Sequence, residues 1–448
     1  MKKYIIILLG AMALCSCRKF LSEKPDAKLA VPTTLGDFQA LLDRYPVIND
    51  NDPVAGEISS DDYYVTTSDY LALTDETDRR KYTWQKGDLF IPQGNDWYYT
   101  YRPVFTANTV LEGLAKLTEN SGNKAAYDNV RGQAYYIRGK AFLLAAGLWS
   151  KAYDPATAAT DMGIPLRLSS DFNEPSVRGT LQQTFSQVIS DLSAAAAYLP
   201  LTPVQVVRPS KPAALALLAR AYLYMGEYEK AGLYADSCLQ LYNHLLDYNT
   251  LNPASAGPVP QFNVEILQDS FMPAPEIVNN SQRTDSLLYN SYAANDLRKV
   301  IFFRRNVDGS HSFKGSYEGY ANLFSGAATD EVYLTRAECY ARSGNTDAAM
   351  KDLNTLLVNR FATGSFVPYS ATNSDEALTL VLAERRKELL MRGLRWLDLK
   401  RLNRGGAAIT LTRNVDGQVY ILPPNDLRYA LPIPGDIIAL TGMQQNPR

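Results

Sequence analysis

Between Pro212 and Met225 apolar residues fall at Leu215, Leu218, Ala219, Tyr222 and Met225, the spacing of one helix face, and Gly226 ends the run. A second stripe follows at Tyr228, Ala231, Ala235, Cys238, Leu239 and Tyr242. Small residues at Ala219 and Ala231 let two helices approach closely, with Tyr222 filling the groove between them, which is a tetratricopeptide pattern. The signature returns 118 residues later, with Ala337 for Ala219, Tyr340 for Tyr222, Gly344 for Gly226 and Ala349 for Ala231. Because 118 is not a multiple of the roughly 34-residue repeat, the units do not form one simple tandem array, and something is inserted between them.

Two looser helical stretches precede these units. Val130, Ala134, Ile137, Ala141, Leu144 and Leu148 mark one face, and Phe185, Val188, Ile189, Leu192 and Leu199 another, with a loop carrying Pro155, Pro165 and Pro175 between them. A charged helix is predicted from about Asp375 to Leu402, and short extended segments around Tyr420 and Leu431 close the chain. The insertion, roughly Asn243 to Asp330, is rich in Pro, Asn, Ser and Tyr. Its Val300-Ile301-Phe302-Phe303 run, followed by Asn306-Val307-Asp308-Gly309, predicts a small hairpin, and the same turn tetrapeptide recurs at Asn414-Val415-Asp416-Gly417. Neither Asp-Gly site supplies the alternating oxygen ligands and closing Glu of a calcium loop.

The first residues carry a different pattern. Lys2 and Lys3 precede an apolar run from Ile5 to Leu14, too short to span a bilayer and laid out as an export signal. It ends in Leu14-Cys15-Ser16-Cys17, which resembles a bacterial lipobox with Cys17 as the lipidated residue and residues 1–16 as the removed signal. Basic and acidic residues number 45 and 47, so no cationic excess exists to hold nucleic acid. Cys238 and Cys339 lie on apolar helical stripes and read as buried free thiols. Only His244 and His311 are available as imidazoles, and no GxxxxGK[ST] loop occurs, so zinc, triad and phosphate-cradle chemistry lack material. In the late charged helix, Glu388 and Arg392 are four apart, Arg395 and Asp398 three, and Asp398 and Arg401 three. Those spacings predict a structural charge network along the helix, with Trp396 packed beneath it.

Several motifs, in order along nearly the whole chain, resemble those of the SusD/RagB family of Bacteroidetes outer-membrane lipoproteins. They are Arg18-Lys19-Phe20-Leu21-Ser22-Glu23-Lys24-Pro25; Trp97, Tyr101, Val104, Ala107 and Asn108; Asp296-Leu297-Arg298; and Glu331, Leu334, Ala337 and Glu338. Glu384-Arg385, Glu388-Leu389, Gly393, Arg395-Trp396, Asp398-Leu399 and Arg401 follow, then Leu431-Pro432-Ile433-Pro434 and Gln445-Asn446-Pro447. Arg392 departs from the family's usual acid before the glycine.

The resemblance implies a mainly α fold: a tetratricopeptide-type helical-repeat scaffold over about 125–242 and 331–402, with irregular loop-rich insertions and short β-hairpins. Residues 17–448 are then a single SusD-like domain, with ligand-binding loops over about 45–100 and 243–330. It further implies a non-catalytic cell-surface lipoprotein, anchored in the outer membrane, that captures oligosaccharides and delivers them to a SusC-like TonB-dependent transporter. Peptides are the alternative ligand, as in the RagB branch, and a secreted glycosidase is the alternative of another class. No cofactor, metal or nucleic acid is expected.

Sugar rings stack on flat aromatic side chains while their hydroxyls need fixed polar groups, so a glycan site combines exposed Tyr or Trp with Asn, Asp or Arg. The chain has 29 tyrosines. Tyr222, Tyr340, Trp97 and Tyr101 read as packing residues by spacing, and Trp84, two after Tyr82, fits strand core. Loop aromatics are better candidates, and Tyr64, Tyr70, Arg80, Tyr292 and Tyr317 are the expected ligand contacts. A periplasmic adaptor is the second non-enzymatic reading of the repeats.

Overall fold

The computed structural model describes residues 31–448, and the export signal and Cys17 lie outside them. Nine longer helices build the scaffold: α1 Asp96–Leu114, α2 Lys124–Trp149, α3 Leu181–Tyr198, α4 Lys211–Met225, α5 Tyr228–Leu241, α6 Thr329–Arg342, α7 Thr346–Leu357, α8 Ser374–Glu388 and α9 Arg395–Arg404. Each of α2 to α5 packs on the helix before it, and α7 and α8 both pack on α6. The stripes read from the sequence are the buried faces. Ala219, Ala231, Ala337 and Ala349 are fully buried, and the Tyr222 ring stacks on Tyr234 at 5.4 Å.

Local chemistry sets the ends of these helices. Ser210 caps α4 by accepting from Ala213 N, Pro212 sits in the first turn where its missing N–H is not needed, and Gly226 closes the helix at φ 79°. Gly344 (φ 85°) and Asn345, which caps α7, repeat the device in the second unit. Thr180 and Gln183 form a capping box at the start of α3.

The insertion does not interrupt the stack, because α5 packs directly on α6 although residues 242–328 intervene. The chain leaves and re-enters the scaffold at adjoining points: Thr329 Oγ1 donates to His244 O at 2.6 Å and Tyr333 Oη to Asn243 O at 3.3 Å. Cys238 and Cys339 are free and buried, and burial pushes both thiols up to about 12.

Two expectations change. The charged helix predicted over 375–402 is two helices, since Met391 (φ 57°) and Gly393 (φ 71°) break it after Glu388 and redirect α9 onto α4 and the short helix Ala55–Ser59. Trp84 is not in a strand. It sits at φ 53° just after the helix Glu76–Tyr82, buried, with its indole N–H donating to Ser59 O at 2.9 Å.

Six of the twelve short strands among the described residues bear on the site: β1 Tyr63–Tyr64, β2 Arg283–Thr284, β3 Phe303–Arg305, β4 His311–Phe313, β5 Leu411–Val415 and β6 Gln418–Leu422. Both Asn-Val-Asp-Gly segments connect paired strands, β3 to β4 and β5 to β6. Asp416 (φ 52°) and Gly417 (φ 72°) supply the two left-handed residues that suit a two-residue hairpin turn. Val300 and Ile301 belong to the one-turn helix Arg298–Ile301 and not to the hairpin, which starts at Phe303.

The insertion shares an apolar core with the 54–82 segment, in which Tyr63, Tyr70 and Tyr82 meet Ile277, Leu288, Tyr292, Phe302, Phe303, Tyr317 and Phe324.

Candidate functional site

The two loop-rich regions meet through backbone pairing. β1 runs antiparallel to β2, with Tyr63 opposite Thr284 and Tyr64 opposite Arg283. β2 in turn lies beside β4, where Ser312 Oγ donates to Gln282 O at 2.8 Å. In the β3–β4 hairpin, Phe303 turns into the insertion core and Arg304 turns out.

The outward face of this hairpin forms one wall of an open pocket of about 300 Å³, lined by Asn279, Gln282, Arg304, Phe313, Lys314 and Tyr320 among others. Its opposite rim is a crossing of two loops that requires glycine. A Cβ on Gly257 would lie 2.0 Å from the carbonyl oxygen of Gly319, itself at φ 69°. Past that turn Tyr320 projects half exposed (50%). Gln282 is 3% exposed, and its buried Oε1 has no hydrogen-bond partner. Lys314 Nζ donates to Pro253 O and Ser255 O, and burial lowers its pKa. A concave site with an aromatic face and several donors can hold a polar ring compound.

The expected contact residues divide. Tyr64 is exposed (38%) at the edge of β1, across from Arg283, which pairs with Asp69 and Asp308. Arg80 is partly exposed, paired with Glu76 at 2.6 Å and donating to Asp88 O. Tyr70 is buried against Tyr82. Tyr292 and Tyr317 are corrections, because at 1% and 2% exposure neither can stack on a ligand. The Tyr292 hydroxyl donates to Lys387 O at 2.8 Å, and the Tyr317 hydroxyl donates to Glu265 Oε2 at 2.6 Å. Their loops fold into a core of their own, and burial inside a loop-built core leaves no periodic signal. Tyr320, Arg304, Lys314 and Gln282 line the pocket instead. The Gly319 turn and the hairpin alternation at Phe303-Arg304 were the available signals.

Beneath the insertion lies a buried charge network. Arg298 pairs with Asp296 (2.7 Å), Glu384 (2.6 Å) and Glu388 (2.9 Å), and Arg360 pairs with Glu388 and Glu265, both at 2.7 Å. Arg392 pairs with Asp330 at 3.0 Å. The expected pairs within one helix are thus only partly present. Asp398 does bond Arg401 at 2.7 Å, but Glu388 turns away from Arg392, and Arg395 reaches Asp61 at 2.7 Å. Trp396 is buried, as its position implied. Oxygens of Glu265, Asp330 and Glu388 lie within 4.8 Å of one another, close enough to suggest a metal site. Their donor set does not fit one, because Arg360, Arg298 and Arg392 already neutralise these carboxylates and the cluster is fully buried.

Burial raises Glu265 to about 7, with Arg360 offsetting part of the rise and Asp330 and Glu388 adding to it. Asp61 goes the other way, because Arg395, Arg386 and Arg413 outweigh its burial and hold it well below the usual carboxylate range.

Two family models match the chain. One, described as starch-binding and associating with the outer membrane, covers residues 19–223, and one described as the SusD family covers residues 329–448. Among solved structures, a SusD superfamily protein from Bacteroides thetaiotaomicron is 21% identical with a TM-score of 0.74, the alignment covering 93% of this chain and 100% of that one. A SusD-like carbohydrate binding protein from Bacteroides vulgatus is 19% identical with a TM-score of 0.69, covering 92% and 97%. A SusD superfamily protein from Bacteroides fragilis is 20% identical with a TM-score of 0.70, covering 92% and 99%. These likenesses establish the fold. No curated protein matches the chain in sequence.

Proposed function

The chain belongs to the SusD/RagB family, and from that membership we propose that it is a surface lipoprotein that binds nutrient oligosaccharides without cleaving them. In this reading Cys17 carries the lipid that holds it to the outer membrane, and a SusC-like TonB-dependent transporter receives the cargo. The observation that carries the reading is the pocket of the insertion, where Tyr320 offers a half-exposed ring beside Gln282, Asn279 and Arg304. Stacking against an aromatic face contributes about 0.5–1.5 kcal/mol beyond area burial, and adjacent polar groups fix the hydroxyls. Tyr64 at the edge of β1 is a secondary candidate contact, and the helical repeats are the candidate docking face for the transporter. Among the described residues no helix is long and apolar enough to cross a membrane.

Titration calorimetry of the purified protein against a glycan panel tests the binding. Tyr320→Ala is expected to weaken the best ligand by about tenfold or more with the melting temperature nearly unchanged, given the size of a lost aromatic contact. Release of shorter sugars during the titration, or full affinity in the variant, would reject the reading. Anchoring is tested separately. A palmitate analogue should label the wild type in cells and not Cys17→Ala, and external protease should remove the protein from intact cells. An unlabelled wild type would reject the lipid, and protection from protease would favour a periplasmic adaptor.

A further inference from the structure

Most buried cations of this protein have a carboxylate within reach, as Arg298, Arg360, Arg385, Arg392 and Arg401 do. Lys400 and Arg413 have backbone carbonyls instead, and the pocket of the insertion holds an exposed and a half-buried cation without a carboxylate. Its lining contains no Asp or Glu, yet it contains Arg304 and Lys314. The Arg304 guanidinium is exposed and, among the described residues, has no ion-pair or hydrogen-bond partner. Lys314 has only the carbonyls of Pro253 and Ser255, with no opposite charge.

The acids nearby in the chain are committed elsewhere. Glu276 accepts from Thr74 N and Oγ1, Asp308 faces Ser310 and Arg283, and Glu318 accepts from Gln261 and hydrogen-bonds Asp269. Burial raises Glu318, with Asp269 adding to the rise, and these two carboxyls with Asp50 are the acids that act on Tyr320. On the neighbouring surface Arg305 and Lys299 add positive potential, both depressing His311 after burial has done so.

Resting on the reading of this pocket as a saccharide site, we propose that its ligand is an acidic oligosaccharide, whose ring-borne anion is met by Arg304 and Lys314 while Tyr320 holds the sugar. Charge-assisted hydrogen bonds to an anion are about twice as strong as neutral ones, and a guanidinium fork matches a carboxylate or a sulfate. The half-exposed phenol ring of Tyr320 distinguishes this arrangement from a site for a bare inorganic anion, which would leave that face uncovered.

The test is calorimetric titration of the purified protein with oligogalacturonides and with heparin and chondroitin sulfate oligosaccharides. Each is paired with its carboxyl-reduced or desulfated counterpart, and neutral glucan, xylan and mannan oligomers are run beside them. At least one acidic oligomer is expected to bind. Neutralising its carboxylate or its sulfate, whichever carries recognition, is expected to weaken it at least about tenfold, as is Arg304→Ala or Lys314→Gln, the size of one lost charged hydrogen bond. Arg304→Lys should restore part of the loss, and raised salt should weaken wild-type binding more than Arg304→Ala binding. Because Arg304 is exposed, circular dichroism and melting of its variants should match the wild type. Equal affinity for the neutralised oligomer, or a neutral glycan bound best and indifferent to Arg304→Ala, would overturn the acidic preference and leave the saccharide reading standing. Acidic binding that survives Arg304→Ala, Lys314→Gln and Tyr320→Ala alike would move the site elsewhere and overturn the proposal. Binding of peptides and of no glycan would overturn both.

Discussion

Arg360→Ala is expected to lower the unfolding free energy by about 3–5 kcal/mol, the usual penalty for removing one partner of a buried ion pair. The side chain is fully buried. Its Nε donates to Glu388, one Nη to Glu265 and the other to the Leu246 carbonyl, each at 2.7 Å, and the guanidinium lies 4.2 Å from the Tyr248 ring centroid. Alanine leaves a cavity and strips Glu265 of its only guanidinium, although Glu388 keeps Arg298. Arg360→Lys should lose less, since it retains the charge but not the planar fork that reaches three acceptors. Urea unfolding followed by circular dichroism measures both variants. A loss under about 1 kcal/mol in the alanine variant would mean that the network is better solvated than its burial implies.

The second large effect is expected from pH. Burial raises Asp62 to about 6, Glu265 to about 7, Glu57 to about 8 and Glu318 to about 9. In the unfolded chain these groups return to ordinary carboxylate values near 4, so between that region and the raised values the native state holds more protons than the unfolded one. The slope of stability against pH is then negative, and their contribution is complete below about pH 4 and is lost as pH rises through the folded values. Lys400 opposes this only above neutrality. Burial lowers it to about 7, so the native state lacks a proton there that the unfolded state keeps. The melting temperature should therefore be highest near pH 4 and fall by several degrees towards pH 7, with a shallower course beyond. Glu318→Gln keeps a donor towards Asp269 and an acceptor for Gln261 while removing the titration, and should flatten the fall. Superimposable pH profiles for wild type and variant would rule out Glu318 as a source of the slope.

The helical repeats were legible because helix packing writes a period into the chain, and four residues in one register marked each unit. The split between α8 and α9 was not, since a charge run looks the same whether its partners lie one turn away or across the molecule. Glu388 is satisfied by Arg298 and Arg360, and Arg395 by Asp61, none of which a helical wheel contains. The candidate site was half legible. Its region follows from the aperiodic, tyrosine-rich texture of the insertion, but Tyr317 and Tyr320 are only three residues apart in the same texture. One is bonded to Glu265 in the interior and the other faces solvent. What separates them is the turn at Gly319, whose direction depends on the Gly257 backbone crossing behind it, a long-range fact that no local pattern records.

The meeting of Asn243 and His244 with Thr329 and Tyr333 gives the insertion the geometry of a cassette plugged into a frame. Length changes at exposed turns such as Val307-Asp308 therefore leave the packing of α5 on α6 in place.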